Sequence, residues 1–139
     1  MRIMAIDYGD AHTGIAISDP TGFLAGFTTV ITAYRPEAVA EQIAELVREY
    51  RVEELVLGHP INMDGTRGPR SEKAHAMKAL LEEMVSLPVV LWDERRTTID
   101  AHQILMNSGK NAKKRKKMVD AVAASLILEG YLTFKKSHG

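Results

Sequence analysis

The sequence predicts an α/β fold: a mixed five-stranded sheet, with three antiparallel strands then parallel strands, flanked by helices. Three observations lead there. Three β-type segments fall within the first 32 residues, at spacings that favour antiparallel hairpins. Two further apolar runs then alternate with stretches of helical periodicity. The chain has 139 residues, 45% of them hydrophobic and 26% charged, which suits one globular domain spanning residues 1–139.

Arg2–Asp7 reads as a strand apolar on both faces, as a central strand requires, and Asp7-Tyr8-Gly9-Asp10 ends it. Gly14–Asp19 is a second strand stopped by Asp19-Pro20, and Phe27–Thr32, rich in β-branched residues, is a third. Pro36–Tyr50 is an amphipathic helix. Val39, Ile43, Leu46, Val47 and Tyr50 share one face, Glu37, Glu41, Glu45 and Glu49 line another, and Pro36 suits a first helical turn. Glu54–Gly58 is a fourth strand. Residues 59–69 read as a loop and a helix follows to Met84. Pro88–Trp92 is a fifth strand, ending in Asp93-Glu94-Arg95-Arg96. Thr97 or Thr98 can cap a helix through Met106, and a last helix runs from about Ala112 to Phe134.

The absence of cysteine excludes disulfides, thiol nucleophiles and Cys-ligated metal centres. The N-terminal apolar stretch is broken by Asp7, and no run approaches the roughly 20 residues of a membrane helix. The expectation is a soluble, cytoplasmic protein with no membrane partner. A net charge of zero conceals an asymmetry: residues 1–69 hold 5 Lys/Arg and 10 Asp/Glu (−5), residues 70–139 hold 13 and 8 (+5). The excess centres on Lys110, Lys113, Lys114, Arg115, Lys116 and Lys117, six cations in eight residues. Such a run is either a solvated face or a local field that attracts polyanions.

Three acids stand out against their bland readings. Asp7 ends an apolar strand, where a carboxylate is costly unless paired, liganded or exposed at the sheet edge; it could also be a turn-forming Asp. Asp93 and Glu94 end the fifth strand and point to opposite faces. Glu94 is assigned to the site, against a surface ion pair with Arg95 or Arg96. Asp120 shares a helical stripe with Ala123, Ala124, Ile127 and Tyr131, two alanines of which permit close approach to the sheet; its bland reading is a favourable charge on the helix dipole. Three carboxylates converging on one cleft repel one another unless a hard cation neutralises them. Mg2+ is the cation such oxygen ligands suggest, and a pair of such ions roughly 3.5–4 Å apart can activate water and stabilise the leaving oxygen in cleavage of a phosphodiester. The histidines show no HExxH or zinc pattern. His59 reads as a loop or surface residue able to approach the same end of the sheet, and no Ser–His–Asp arrangement is evident. Trp92 reads as core or cleft wall. No Walker motif or GxGxxG is present.

Asp7-Tyr8-Gly9 with Gly14-Ile15-Ala16 and Ser18-Asp19, Gly58-His59-Pro60-Ile61-Asn62-Met63-Asp64-Gly65-Thr66, Asp93-Glu94-Arg95-Arg96-Thr97-Thr98 and Asp120-Ala121-Val122-Ala123-Ala124 occur in this order over nearly the whole chain. Together they resemble the YqgF/RuvX family. The resemblance implies an RNase H-like fold and a cytoplasmic bacterial nuclease acting in 5′-end maturation of the precursor of 16S rRNA, in a family earlier labelled a Holliday-junction resolvase. It implies Asp7, Glu94 and Asp120 as catalytic acids and metal ligands, with Mg2+ or Mn2+ as the cofactor. Nucleic acid, as precursor rRNA or branched DNA, is the implied partner, with ribosomal precursor particles as a further one. Arg95, Lys113, Lys114, Arg115, Lys116 and Lys117 would then contact phosphates. The chain departs from the family pattern at Ala11-His12, where a Lys-Arg-like pair is usual, and at His59, where Leu is common. Resolvases of the RuvC type often take a Glu from the fourth strand, where this chain has Gly58-His59.

The competing readings are a nucleic-acid-binding ribosome-assembly factor without cleavage, and a sugar-kinase or actin-like ATPase, whose two lobes 139 residues cannot supply. The chain is expected as a monomer or homodimer; symmetric junction cutting would need a two-fold dimer.

Overall fold

The computed structural model describes residues 1–22, 25–59, 68–93 and 112–138, the side chains at 25, 69, 70, 112–120, 137 and 138 excepted. Its elements are β1 (Ile3–Asp7), β2 (His12–Ser18), β3 (Ala25–Thr32), α1 (Pro36–Tyr50), β4 (Glu54–His59), α2 (Pro69–Val85), β5 (Val89–Asp93) and α3 (Ala112–His138). The five strands form one sheet in the order β3-β2-β1-β4-β5. Pairing is antiparallel from β3 through β2 to β1 and parallel from β1 through β4 to β5, the mixed sheet expected. The segment 97–106, expected as a helix, lies outside the described residues.

The sheet is layered between helices, and the strand alternation shows why. On β1, Met4 and Ile6 join Leu55 and Leu57 of β4 in a core closed by Val39, Ile43 and Val47 of α1 and Met77 and Leu81 of α2. Ile3 and Ala5 of β1, Ala16 of β2, Val56 of β4 and Trp92 of β5 face the other way, onto Ala124, Ile127, Leu128 and Tyr131 of α3. The small residues Ala5, Ala16 and Ala124, all fully buried, let a long helix lie close against the sheet. Burial on both faces explains why β1 and β4 read as nearly continuous apolar runs.

α1 occupies the bounds its periodicity predicts. It opens with Pro36 in the first turn and closes at Arg51, whose φ of 54° places it in the left-handed region. Most other boundaries differ from expectation by a residue or two, β3 beginning at Ala25 and β5 running Val89–Asp93, and three of the differences are instructive. β2 begins at His12, because Thr13 is fully buried and pairs with Ile31 of β3. α3 continues past Phe134, where the apolar stripe ends, to His138. β4 continues through His59, so that residue is neither in a loop nor at the surface: it is buried and pairs in register with Asp93 of β5.

Among the described residues, no helix is long and apolar enough to cross a membrane.

Candidate active site

Parallel pairing puts the C-terminal ends of β1, β4 and β5 at one edge of the sheet. Asp7 ends β1, His59 ends β4 and Asp93 ends β5. In register, Ile6 lies beside Leu57 and His59 beside Asp93. Alternation divides this edge. Asp7 shares its face with Ile3 and Ala5, on the α3 side, whereas His59 and Asp93 share theirs with Leu57 and Leu91, on the α1/α2 side. The sequence-predicted acid Asp7 is half-buried, and its partner across the antiparallel ladder is Gly14, which places no side chain beside the carboxylate. After Asp7 the chain turns tightly. A Cβ on Gly9 would run into the carbonyl oxygen of His12, so glycine is required there by close backbone approach.

Tyr8 faces the α1/α2 core beside this turn. Burial raises its hydroxyl pKa above the usual value, Lys73 opposes the shift, and Asp10 and Glu37 add to it. Lys73 of α2 meets Asp10 at 2.6 Å; both side chains are well exposed, so this pair contributes little to stability.

The feature that sequence reasoning missed lies on the same edge. His59 Nε2 and Ser71 Oγ share a hydrogen bond of 2.6 Å between residues only 6% and 1% exposed. The ring of His75 stands edge-on to that of His59 at a centroid distance of 4.8 Å. Ser71 and His75 are four residues apart on α2 and so share one helical face. That spacing was the available signal, but nothing local to it points to His59.

On the α3 face, Trp92 packs edge-on against Tyr131 and Phe134, with ring centroids 5.7 Å away in each case. It is core rather than cleft wall. At the opposite edge of the sheet, Lys135 Nζ lies 3.1 Å from the buried carboxylate of Glu54, the first residue of β4. The C-terminal part of α3 is thereby pinned to the start of β4, and the helix crosses β4, β1, β2 and β3 from there. Asp120 lies on α3 one turn before Ala124, and Ala124 packs in the cluster that contains Ala5, two residues before Asp7 on the same face.

Of the remaining predicted residues, Lys113, Lys114, Arg115, Lys116 and Lys117 form the first turns of α3, their side chains and that of Asp120 outside the described set. Glu94 and Arg95 lie outside the described residues altogether. Among the described residues, no group of three or more His, Asp or Glu is arranged to hold a metal ion. Asp7 is an oxygen donor of the kind a hard cation takes, half-buried at a sheet edge, and to that extent its position fits one.

A family profile described as "RuvX: Holliday junction resolvase" matches residues 1–134. The chain belongs to the RuvX family. It is similar to proteins named "Putative pre-16S rRNA nuclease" from Halothermothrix orenii, 46% identical over 140 residues covering 100% of both chains, and from Clostridium botulinum, 45% identical over 132 residues covering 95% of this chain and 96% of the relative. Among solved structures, it is similar to Thermus thermophilus RuvC in complex with a Holliday junction substrate, with a TM-score of 0.64 and 16% identity over 97% of this chain and 96% of that one. Fowlpox virus resolvase in complex with Holliday junction DNA matches with a TM-score of 0.57 and 13% identity over 97% of this chain and 99% of that one. The fold of this RuvX member is therefore RuvC-like, of the RNase H class, as the resemblance implied.

Proposed function

We propose that this RuvX-family chain is a metal-dependent nuclease that hydrolyses phosphodiester bonds in 5′-end maturation of the precursor of 16S rRNA. The observation that carries the reading is Asp7. It is a carboxylate at the end of the central strand, on the face covered by α3, in a RuvC-like sheet. Full-length identity of 46% to a relative named for that substrate supports the choice of RNA.

In this reading Asp7, Glu94 and Asp120 hold Mg2+ or Mn2+. Strand alternation continued by one residue past Asp93 would bring Glu94 to the face of Trp92, the α3 face that Asp7 occupies. The path of α3 supports Asp120, since Ala124 and Ala5 share a cluster and each proposed acid lies a short step beyond its alanine. A bound divalent ion would supply charge to activate water and to stabilise the leaving oxygen. The protein's own part is to position substrate. Lys113, Lys114, Arg115, Lys116 and Lys117 would bind backbone phosphates, with affinity falling as salt rises, and Arg95 would neutralise the phosphate being cut. The buried core beneath Asp7 fixes its direction without requiring substrate to order it.

The test is incubation of purified protein with precursor 16S rRNA and with a synthetic four-way DNA junction, in Mg2+, Mn2+ or EDTA, beside Asp7→Asn. Metal-dependent cutting of the RNA, lost in the variant, is the expected result. Symmetric junction cutting would reassign the substrate and call for a two-fold dimer. Metal-independent binding with no cutting of either would overturn the nuclease reading in favour of a non-catalytic assembly factor acting on ribosomal precursor particles.

A further inference from the structure

We propose that His59 is a positioning residue of the candidate active edge, acting through a clasp made by its buried hydrogen bond to Ser71, with the exposed His75 ring packed against it from outside. The proposal rests on the reading above that this edge is the catalytic one.

β4 is buried along its whole length, and its last side chain is an imidazole where the other outward positions on that face, Leu55 and Leu57, are apolar. Burying a polar ring is unfavourable unless its nitrogens are hydrogen-bonded, and the 2.6 Å bond from Nε2 to Ser71 satisfies that requirement for one of them. The bond is directional in a way that apolar packing is not. It ties the end of β4 to the first turn of α2, where the Ser71 N–H itself donates to the Gly68 carbonyl at 3.0 Å. The exposed His75, one turn further along α2, packs against the ring at a centroid distance of 4.8 Å in an edge-to-face arrangement.

Two strand ends depend on where this ring sits. His59 is the register partner of Asp93, the last residue of β5, so displacing the end of β4 displaces the point from which the chain departs toward Glu94. On its other side β4 pairs with β1, whose last residue is Asp7. The clasp therefore lies between the two strands that deliver acids to the proposed site, on the sheet face away from substrate. That location suits a residue that orients the site without touching the reacting atoms.

The experiment compares wild type, His59→Leu, His59→Gln and Ser71→Ala by hydrogen exchange and by single-turnover cleavage of precursor 16S rRNA. Leu preserves volume but strands the Ser71 hydroxyl; Gln can restore a partner close to the position of Nε2. In His59→Leu, amides at the ends of β4 and β5 and in the first turn of α2 should exchange about five- to tenfold faster, the scale of one lost hydrogen bond. Exchange in β2 and β3 should be unchanged, Gln should recover most of the protection, and Ser71→Ala should reproduce the Leu pattern. Cleavage at saturating RNA should fall at least about tenfold in His59→Leu, as expected for roughly 1 Å of misplacement, with KM nearly unchanged and with rescue by Gln. Unaltered local exchange, or a Gln variant as impaired as Leu, would overturn the clasp. Altered exchange with wild-type cleavage would overturn its positioning role. If wild type itself cuts nothing, the nuclease reading falls, and the exchange pattern with its Gln rescue still decides whether His59 sets the geometry of this edge.

Discussion

Replacing Gly130 by alanine should stabilise the protein, and the structure permits the size of the effect to be worked out. Gly130 lies inside α3, whose 27 residues form one continuous helix. Glycine in a helix interior is about 0.8–1.0 kcal/mol less favourable than alanine. The question is whether the sheet leaves room for the added methyl group. A Cβ built at this position lies 3.4 Å from Cζ2 and 3.5 Å from Nε1 of Trp92, ordinary van der Waals contact with the indole and no overlap. The site is half-buried, so the methyl adds about half of the ~0.8 kcal/mol of a fully buried carbon. Together the gain is about 1.2–1.4 kcal/mol, or a rise in Tm of about 4–5 °C for a chain of this length. Urea and thermal unfolding followed by circular dichroism would measure it. A loss of stability would refute the reasoning, because it would mean that α3 approaches Trp92 too closely to admit one carbon.

Two further expectations concern the turn beside Asp7 and the far edge of the sheet. Gly9→Ala should destabilise by about 1–3 kcal/mol in urea unfolding, because its Cβ must displace the His12 carbonyl, and the resulting shift would be passed to Asp7 two residues earlier. Tyr131 has its hydroxyl pKa pushed well above the ordinary value of about 10, first by burial and then by its hydrogen bond to Glu54 and the charge there. Because the folded-state value is the higher one, the associated stability is fully present below about pH 10 and is lost as pH rises through the folded value. Tyrosinate absorbance should show Tyr131 ionising last among the four tyrosines, and Glu54→Gln should bring its titration down; an unchanged profile in that variant would exclude Glu54 as a cause.

Periodicity carried most of the fold. α1 has the bounds that its apolar face and Pro36 indicate, because every determinant of that helix is local. Asp7 was legible because an acid at the end of an otherwise apolar strand is visible without tertiary information. The departures from the expected bounds share a different cause, which is that polar residues at element ends are compensated by groups remote in sequence. His12 and Thr13 looked like a turn, yet Thr13 is buried by its ladder with β3. The last helix is expected to end at Phe134, yet the amine of Lys135 reaches the Glu54 carboxylate and holds the continuing α3 against β4. His59 looked like the start of a loop, yet Ser71, twelve residues later, supplies the partner that makes its burial tolerable. In each case the compensating group is remote in sequence, so no local pattern could reveal it.

The division of the candidate active edge into two faces leads to the last prediction, which concerns adjacent acids of the same charge. Trp92 lies in the α3 cluster, while Val89 and Leu91 pack with the α1/α2 core, so Asp93 belongs to the latter side together with its ladder partner His59. Asp7 belongs to the α3 side. In the proposed site Asp93 would face away from Asp7, whereas the next acid in the chain, Glu94, would share the face of Trp92 if strand alternation ran one residue further. Asp93→Asn should accordingly retain metal-dependent cleavage within a few-fold of wild type, while Glu94→Gln should reduce it by at least about a hundredfold, the scale for losing one electrostatic group at a reacting centre. Parallel measurement of Mn2+ affinity should show weakening in Glu94→Gln alone. The reverse pattern, with Asp93 essential and Glu94 dispensable, would mean that the backbone after Trp92 abandons strand alternation before the second acid is delivered, and the parity argument would fail with it.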